Sequence, residues 1–139
     1  MTNNIDPEFV KKDKIVQHTV NGISRFLILW IIKNSGPIHG YSIMKELDTF
    51  FESLIESGTL KKSIPSKIYP ILKNMEENEL IHCDIKIQDN KQVKFYTITD
   101  KGEFLLEYIK NSYINIRKSN HGSQFFNDFL NVEWLFKQF

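Results

Sequence analysis

The chain has 139 residues, 41% of them apolar and 25% charged, and a net charge of +1. Those proportions suit a single folded domain with a packed core and argue against a disordered tail. The balance also excludes a uniformly basic protein, so affinity for nucleic acid would have to come from where the lysines stand. One cysteine, Cys83, excludes an internal disulfide and a cysteine-rich zinc site, and fits a reducing, cytoplasmic setting.

Asp6 and Pro7 read as the N-cap and first residue of a weakly amphipathic helix over residues 7–20, with Phe9, Val16 and Val20 to one side. Asn21-Gly22 predicts its break. A stronger helix from about Ile23 to Asn34 is apolar on most faces and should be central to the core. Its apolar run, Phe26 to Ile32, is far shorter than the roughly 20 residues a bilayer requires, so no membrane partner is expected. Ser35-Gly36-Pro37 stops this helix. A second helix from about Gly40 to Ile55 buries Met44, Leu47, Phe51 and Leu54, and Glu56-Ser57-Gly58-Thr59 breaks it. A third, from about Ser66 to Glu79, buries Ile68, Ile71, Leu72 and Met75, with Pro70 near its start.

Ile81 to Gln88 alternates apolar and polar residues throughout, as a half-buried strand does. Residues 89–92 form a polar turn, and Val93 to Ile98 returns as a second strand rich in β-formers. Thr99 caps a long helix to about Arg117, residues 119–123 form a loop, and a last helix covers about Gln124 to Lys137. The expected fold is mainly helical α+β: a winged helix-turn-helix over residues 23–98, preceded by an N-terminal helix and arm over 1–22. Residues 99–139 add C-terminal helices that form a dimer interface.

Charge placement points to the third helix and the hairpin. From Lys61 to Met75 the chain has four lysines and no acid. Ser66, Tyr69, Pro70 and Lys73 share the face opposite the buried one, flanked by Lys67 and Asn74. Lysines, hydroxyls and an amide suit phosphate oxygens and base edges. The hairpin adds Lys86, Lys91 and Lys94, with Asn90 and Gln92 at its tip. The candidate contacts to double-stranded DNA are therefore Tyr41, Lys62, Ser66, Lys67, Tyr69, Lys73, Asn74, Lys86, Lys91 and Lys94. Tyr41 either faces phosphates or packs, and Tyr69 either meets DNA or joins two helices. The plain alternative for the lysines is a solvated helix face. The rival function is a winged-helix module that binds another protein, favoured by the near-neutral charge and the mere two arginines, Arg25 and Arg117. A small-molecule sensor without DNA affinity is a third.

The order of these elements resembles the PadR-like transcriptional regulators. The matching residues are Gly36-Pro37-Ile38-His39-Gly40-Tyr41-Ser42-Ile43 with Lys45-Glu46-Leu47, then Ile68-Tyr69-Pro70-Ile71-Leu72 with Glu76, Leu80 and Ile81. Phe95-Tyr96-Thr97-Ile98-Thr99 with Gly102 completes them. The resemblance implies a winged-helix dimer, usually a repressor, that releases DNA when a small molecule binds. Two departures stand out. The family tends to have Gly-Thr where this chain has Ser66-Lys67, and Gly where it has Glu79. The first bears on which bases are read and the second on the turn before the wing.

Enzymatic and cofactor chemistry finds no support. The four histidines lack metal-ligand spacing and no glycine-rich phosphate loop occurs. His82-Cys83-Asp84 cannot form a relay on a strand, because Cys83 points away from the other two. The aromatic tail carries a different message. Phe125, Phe126, Phe129, Trp134 and Phe136, with Phe104 and Tyr108 on the preceding helix, are more than one helix of a small monomer readily buries, which predicts a homodimer; the plain alternative is that the tail folds back onto the first helix near Trp30. Trp30 and Trp134 are candidates for the wall of a pocket for a small hydrophobic or aromatic effector.

Overall fold

Asp6 and Asp13 open successive helical segments by the same device, a carboxylate oxygen that accepts backbone amides. In the computed structural model, which describes residues 4–130, Asp6 Oδ1 accepts from the Glu8 amide at 3.0 Å and starts a short 3-10 helix, Pro7–Lys12. Asp13 Oδ1 accepts from Ile15 at 2.9 Å and starts α1, Lys14–Ser35. α1 runs unbroken through Asn21-Gly22, so the expected interruption does not occur. An interior glycine costs roughly 1 kcal/mol. Burying Leu27, Ile28, Leu29, Ile31 and Ile32 on the same helix outweighs it, at about 1.5–3 kcal/mol for each full burial. Among the described residues α1 is the one helix whose length and composition would also suit a membrane crossing.

Gly36 is the C-cap of α1, as expected. A two-residue strand, β1 (Ile38–His39), leads into α2, Gly40–Phe50. The expected continuous helix to Ile55 is divided. Phe51 leaves helical geometry at φ −97° and ψ 18°, and a short α3, Glu52–Glu56, follows. Phe51 stays buried with Met44 and Leu47, while Leu54, also expected inside, is only half-buried beyond the corner the chain turns there.

α4, Pro65–Glu77, buries Ile68, Leu72 and Met75 and half-buries Ile71. Pro65 takes the first helical position, which places Pro70 inside the helix and not near its start. Its missing amide deprives the Ser66 carbonyl of the usual donor, at a cost of order 3 kcal/mol. α4 ends where Leu80 N donates to the Met75 carbonyl and Glu79 N to that of Glu76, both at 2.9 Å. This is the Schellman pattern, and its left-handed position is filled by Glu79 at φ 61°.

β2 (Ile81–Gln88) and β3 (Lys91–Ile98) pair antiparallel from Ile81↔Ile98 to Gln88↔Lys91. β1 joins the other edge of β3, giving the order β1-β3-β2. The turn is Asp89-Asn90 alone, with φ of 50° and 63°. Positive φ at both central residues suits the twist of a two-residue hairpin and draws Lys91 and Gln92 into the strand. The wing is thus longer than the expected four-residue turn implied.

Thr99 caps α5, Asp100–Lys118: its Oγ1 accepts from the Gly102 amide at 3.1 Å and donates to the Glu79 carbonyl at 2.6 Å. α6, Asn120–Leu130, begins at once, because Ser119 Oγ accepts the Gly122 amide at 3.0 Å. The expected loop over 119–123 therefore shrinks to one residue. Gly122 permits this corner, since a Cβ there would overlap the Ile116 carbonyl. The chain forms two compact units, one up to Glu103 and one from Phe104 on. The first contains α1–α4 and the sheet, around the fully buried Ile28, Ile32, Ile43, Leu72 and Ile81. The architecture is mainly helical α+β in winged helix-turn-helix order.

A candidate nucleic-acid interface on the third core helix and the wing

The inner face of α4 is apolar and packed, which leaves its outer face to solvent. Ser66, Lys67, Tyr69, Pro70, Lys73 and Asn74 are all exposed, as are Lys61 and Lys62 just before the helix. Among the described residues none of these four lysines lies within 4.0 Å of a carboxylate. Their charge is left to act on solvent and on whatever approaches. Asp48 Oδ1 accepts from the Ser63 amide at 2.9 Å and pins the lysine-bearing loop to α2. An open groove of about 520 Å3 runs along α2 and α3, walled by Tyr41, Met44, Lys45, Glu52 and Lys62 among others.

The two tyrosines left open by the sequence take different places. Tyr69 is 40% exposed, but its ring lies on the backbone of Gly40: a Cβ there would stand 2.5 Å from the phenolic oxygen. Tyr69 therefore joins α4 to the start of α2. Tyr41 is exposed. Its ring stacks beside His39 with centroids 6.3 Å apart, and the Lys45 ammonium stands 5.6 Å from its centroid. His39 caps α2 through Nδ1, which accepts from the Ser42 amide at 3.4 Å, and meets Phe95 edge-on at 5.8 Å.

The register of the wing divides its lysines. Residues directly opposite on antiparallel strands share a face, and faces alternate along each strand. Cys83↔Tyr96, Ile85↔Lys94 and Ile87↔Gln92 share the face that buries Ile81, Ile38 and Tyr96, and α4 packs against β2. Lys86, paired with Val93, and Lys91, paired with Gln88, lie on the other face with Phe95 and His82. The Lys86 ammonium stands 5.3 Å from the Phe95 centroid. The three expected wing contacts are therefore not one patch. The regular alternation of β2 also misled, since burial ends after Cys83 and leaves Ile85 58% and Ile87 76% exposed.

Neither Cys83 nor Tyr96 is set up as a nucleophile. Burial, helped by the Glu76 carboxylate, pushes the Cys83 thiol above its ordinary value. Burial likewise pushes the Tyr96 phenol up to about 12. His82 and Asp84 pair at 3.0 Å on the face away from Cys83, as strand geometry requires.

In the second unit, Phe104, Tyr108, Phe125 and Phe129 are exposed. Phe126 is half-buried, edge-on to Tyr113 at 6.4 Å and to Phe125 at 5.4 Å. Phe125 and Phe129 stack along α6 at 5.4 Å. Tyr113 joins this cluster from α5. Trp30 is half exposed on α1 and is not part of the groove along α2 and α3. Trp134 and Phe136 lie outside the described residues.

Comparison with known proteins agrees with this geometry. The sequence pattern of the transcriptional regulator PadR-like family matches residues 28–108. A PadR-like transcriptional regulator from Bacillus cereus is similar in structure, with 26% identity, a TM-score of 0.59 and coverage of 81% of this chain and 96% of that one. A transcriptional regulator from Thermoplasma acidophilum shares 25% identity at a TM-score of 0.56, over 73% of this chain and 89% of its own. A PadR family regulator from Eggerthella lenta shares the fold at 22% identity and a TM-score of 0.56, over 73% and 81%. No curated protein sequence matches the chain. The match spans more than half the chain and covers α2, α4 and the whole wing, so this protein belongs to the PadR-like family of transcriptional regulators.

Proposed function

We propose that this regulator binds double-stranded DNA sequence-specifically as a homodimer, acts as a repressor, and is relieved by a small hydrophobic or aromatic effector. The observation that carries the reading is the outer face of α4. It is exposed along its length, acid-free from Lys61 to Met75, and backed by a buried apolar face. In a winged helix this element enters the major groove while the wing lies beside the phosphates. Lys62, Lys67 and Lys73 supply phosphate contacts, and Ser66 and Asn74 supply donors and acceptors for base edges. α4 has no arginine, the usual bidentate reader of guanine, so the preferred site is rich in A·T pairs and read partly through groove shape.

Exposed aromatic residues of α5 and α6 motivate the dimer, because leaving them in water costs about 25 cal/mol per Å2. Trp30, exposed on α1, is the described candidate for an effector contact. Selection of bound sequences from random duplexes, repeated at rising salt, tests the whole reading. An enriched inverted repeat whose affinity falls steeply with salt is expected. Absence of enrichment and of salt-dependent retention would leave the protein-binding module as the better account.

A further inference from the structure

Phosphate-facing elements are expected to present cations and to keep carboxylates away. The two faces of the wing differ in the second respect, because the one strand carboxylate, Asp84, lies on a single face. The face continuous with the α4 side carries, from its root outward, Cys83 and Tyr96, then Ile85 with Lys94, then Ile87 with Gln92, and no acid. The Glu76 carboxylate of α4 acts on Cys83 at the root of this face and precedes the Ile85–Lys94 pair. The reverse face carries Asp84, paired with His82, Lys91 beside the turn, and Lys86, drawn over the Phe95 ring. A cation over an aromatic face is favoured there, which leaves it less available to a distant phosphate.

We propose that the wing meets the duplex with its Ile85–Ile87–Lys94 face, Lys94 on a phosphate and the two isoleucines along the sugar edge of the minor groove, while Lys86 is held on the reverse face. This rests on the DNA-binding reading above. Apolar side chains on wings and arms are at home against the minor groove, where they cover sugars or wedge at base steps. A second copy of this chain is a poor occupant. A stable interface buries roughly 800 Å2 on each partner, far more than two isoleucines on a hairpin tip provide.

The test uses the full-length chain and mixed-sequence duplex DNA, with anisotropy titrations between about 50 and 200 mM salt. Wild-type protein is measured first, followed by Lys94→Ala, Lys86→Ala and the double variant Ile85→Ser/Ile87→Ser. Lys94→Ala should lower the slope of log affinity against log salt by about 0.9, one phosphate's worth. Lys86→Ala should leave it unchanged. The serine pair should weaken binding about tenfold with the slope kept, as expected for apolar surface no longer covered. All four positions are surface sites, so melting temperature should hold and serves as the folding control. A slope that drops for Lys86→Ala, or holds for Lys94→Ala, overturns the assignment of faces. Serine variants that bind DNA normally but change self-association in sedimentation would make this face a protein interface and end the proposal. A wild-type chain that fails to bind duplex DNA overturns the DNA-binding reading and this inference together.

Discussion

The phenolic ring of Tyr69 rests on Gly40, so close that a Cβ at residue 40 would stand 2.5 Å from the phenolic oxygen and 2.9 Å from the ring edge. The contact couples the first turn of α2 to the exposed side of α4 and sets how α4 is presented. Gly40→Ala must push the Tyr69 ring aside, and a cost of roughly 1–2 kcal/mol is expected. Urea denaturation of Gly40→Ala, Tyr69→Ala and the double variant forms a cycle. The double variant should recover part of the loss. Strictly additive effects would show that the two residues do not press on each other.

Glu79 fills a left-handed position with a side chain where the C-cap favours glycine. Its exposed carboxylate reaches Lys101 only at 4.0 Å, a contact worth little in water. Glu79→Gly should therefore stabilise the protein by roughly 0.5–1 kcal/mol despite the added chain entropy of glycine. A thermal melt that falls instead would mean the carboxylate does more than the geometry indicates.

Lys67 and Lys73 stand on the exposed outer face of α4 and not in the core. Lys67→Glu or Lys73→Glu should remove detectable DNA binding in retardation assays while changing stability by under about 0.5 kcal/mol. Binding that survives both changes would take α4 out of the interface.

Sedimentation of the full-length chain should give a dimer at micromolar concentration. The selected operator should be an inverted repeat with half-site centres about 10 base pairs apart, or a multiple of that. Removal of residues 119–139 should give a monomer or an aggregate with affinity near the non-specific range, about 10⁻⁴ to 10⁻⁶ M. A full-length monomer holding one asymmetric site tightly is incompatible with the dimer.

Tyr96 links folding to alkaline pH. Burial lifts its phenol from 10.0 to about 12 in the folded chain. Since the folded state prefers the neutral form, its contribution is complete below pH 10 and is lost as pH rises towards 12. Denaturant midpoints measured across that window should fall more steeply for the wild-type chain than for Tyr96→Phe. Equal slopes would assign the alkaline loss to other groups.

Much of this protein follows from short-range chemistry and was legible in its sequence. Apolar spacing marked Met44, Leu47 and Phe51, and Ile68, Leu72 and Met75, because a helix repeats every 3.6 residues whatever it packs against. The stop at Gly36, the cap at Thr99 and the outward face of α4 are local in the same sense. Tertiary structure decided the rest. α1 runs through Gly22 because burial further along the helix outweighs a local break. The α5–α6 corner tightens to Ser119 because Gly122 lets the backbone approach Ile116. Tyr69 became a joint once Gly40 was brought beneath it, and Lys86 and Lys94 parted only when the two-residue turn set the strand register. Such contacts link residues distant in sequence, and periodicity along one segment holds no information about which distant backbone will come to meet it.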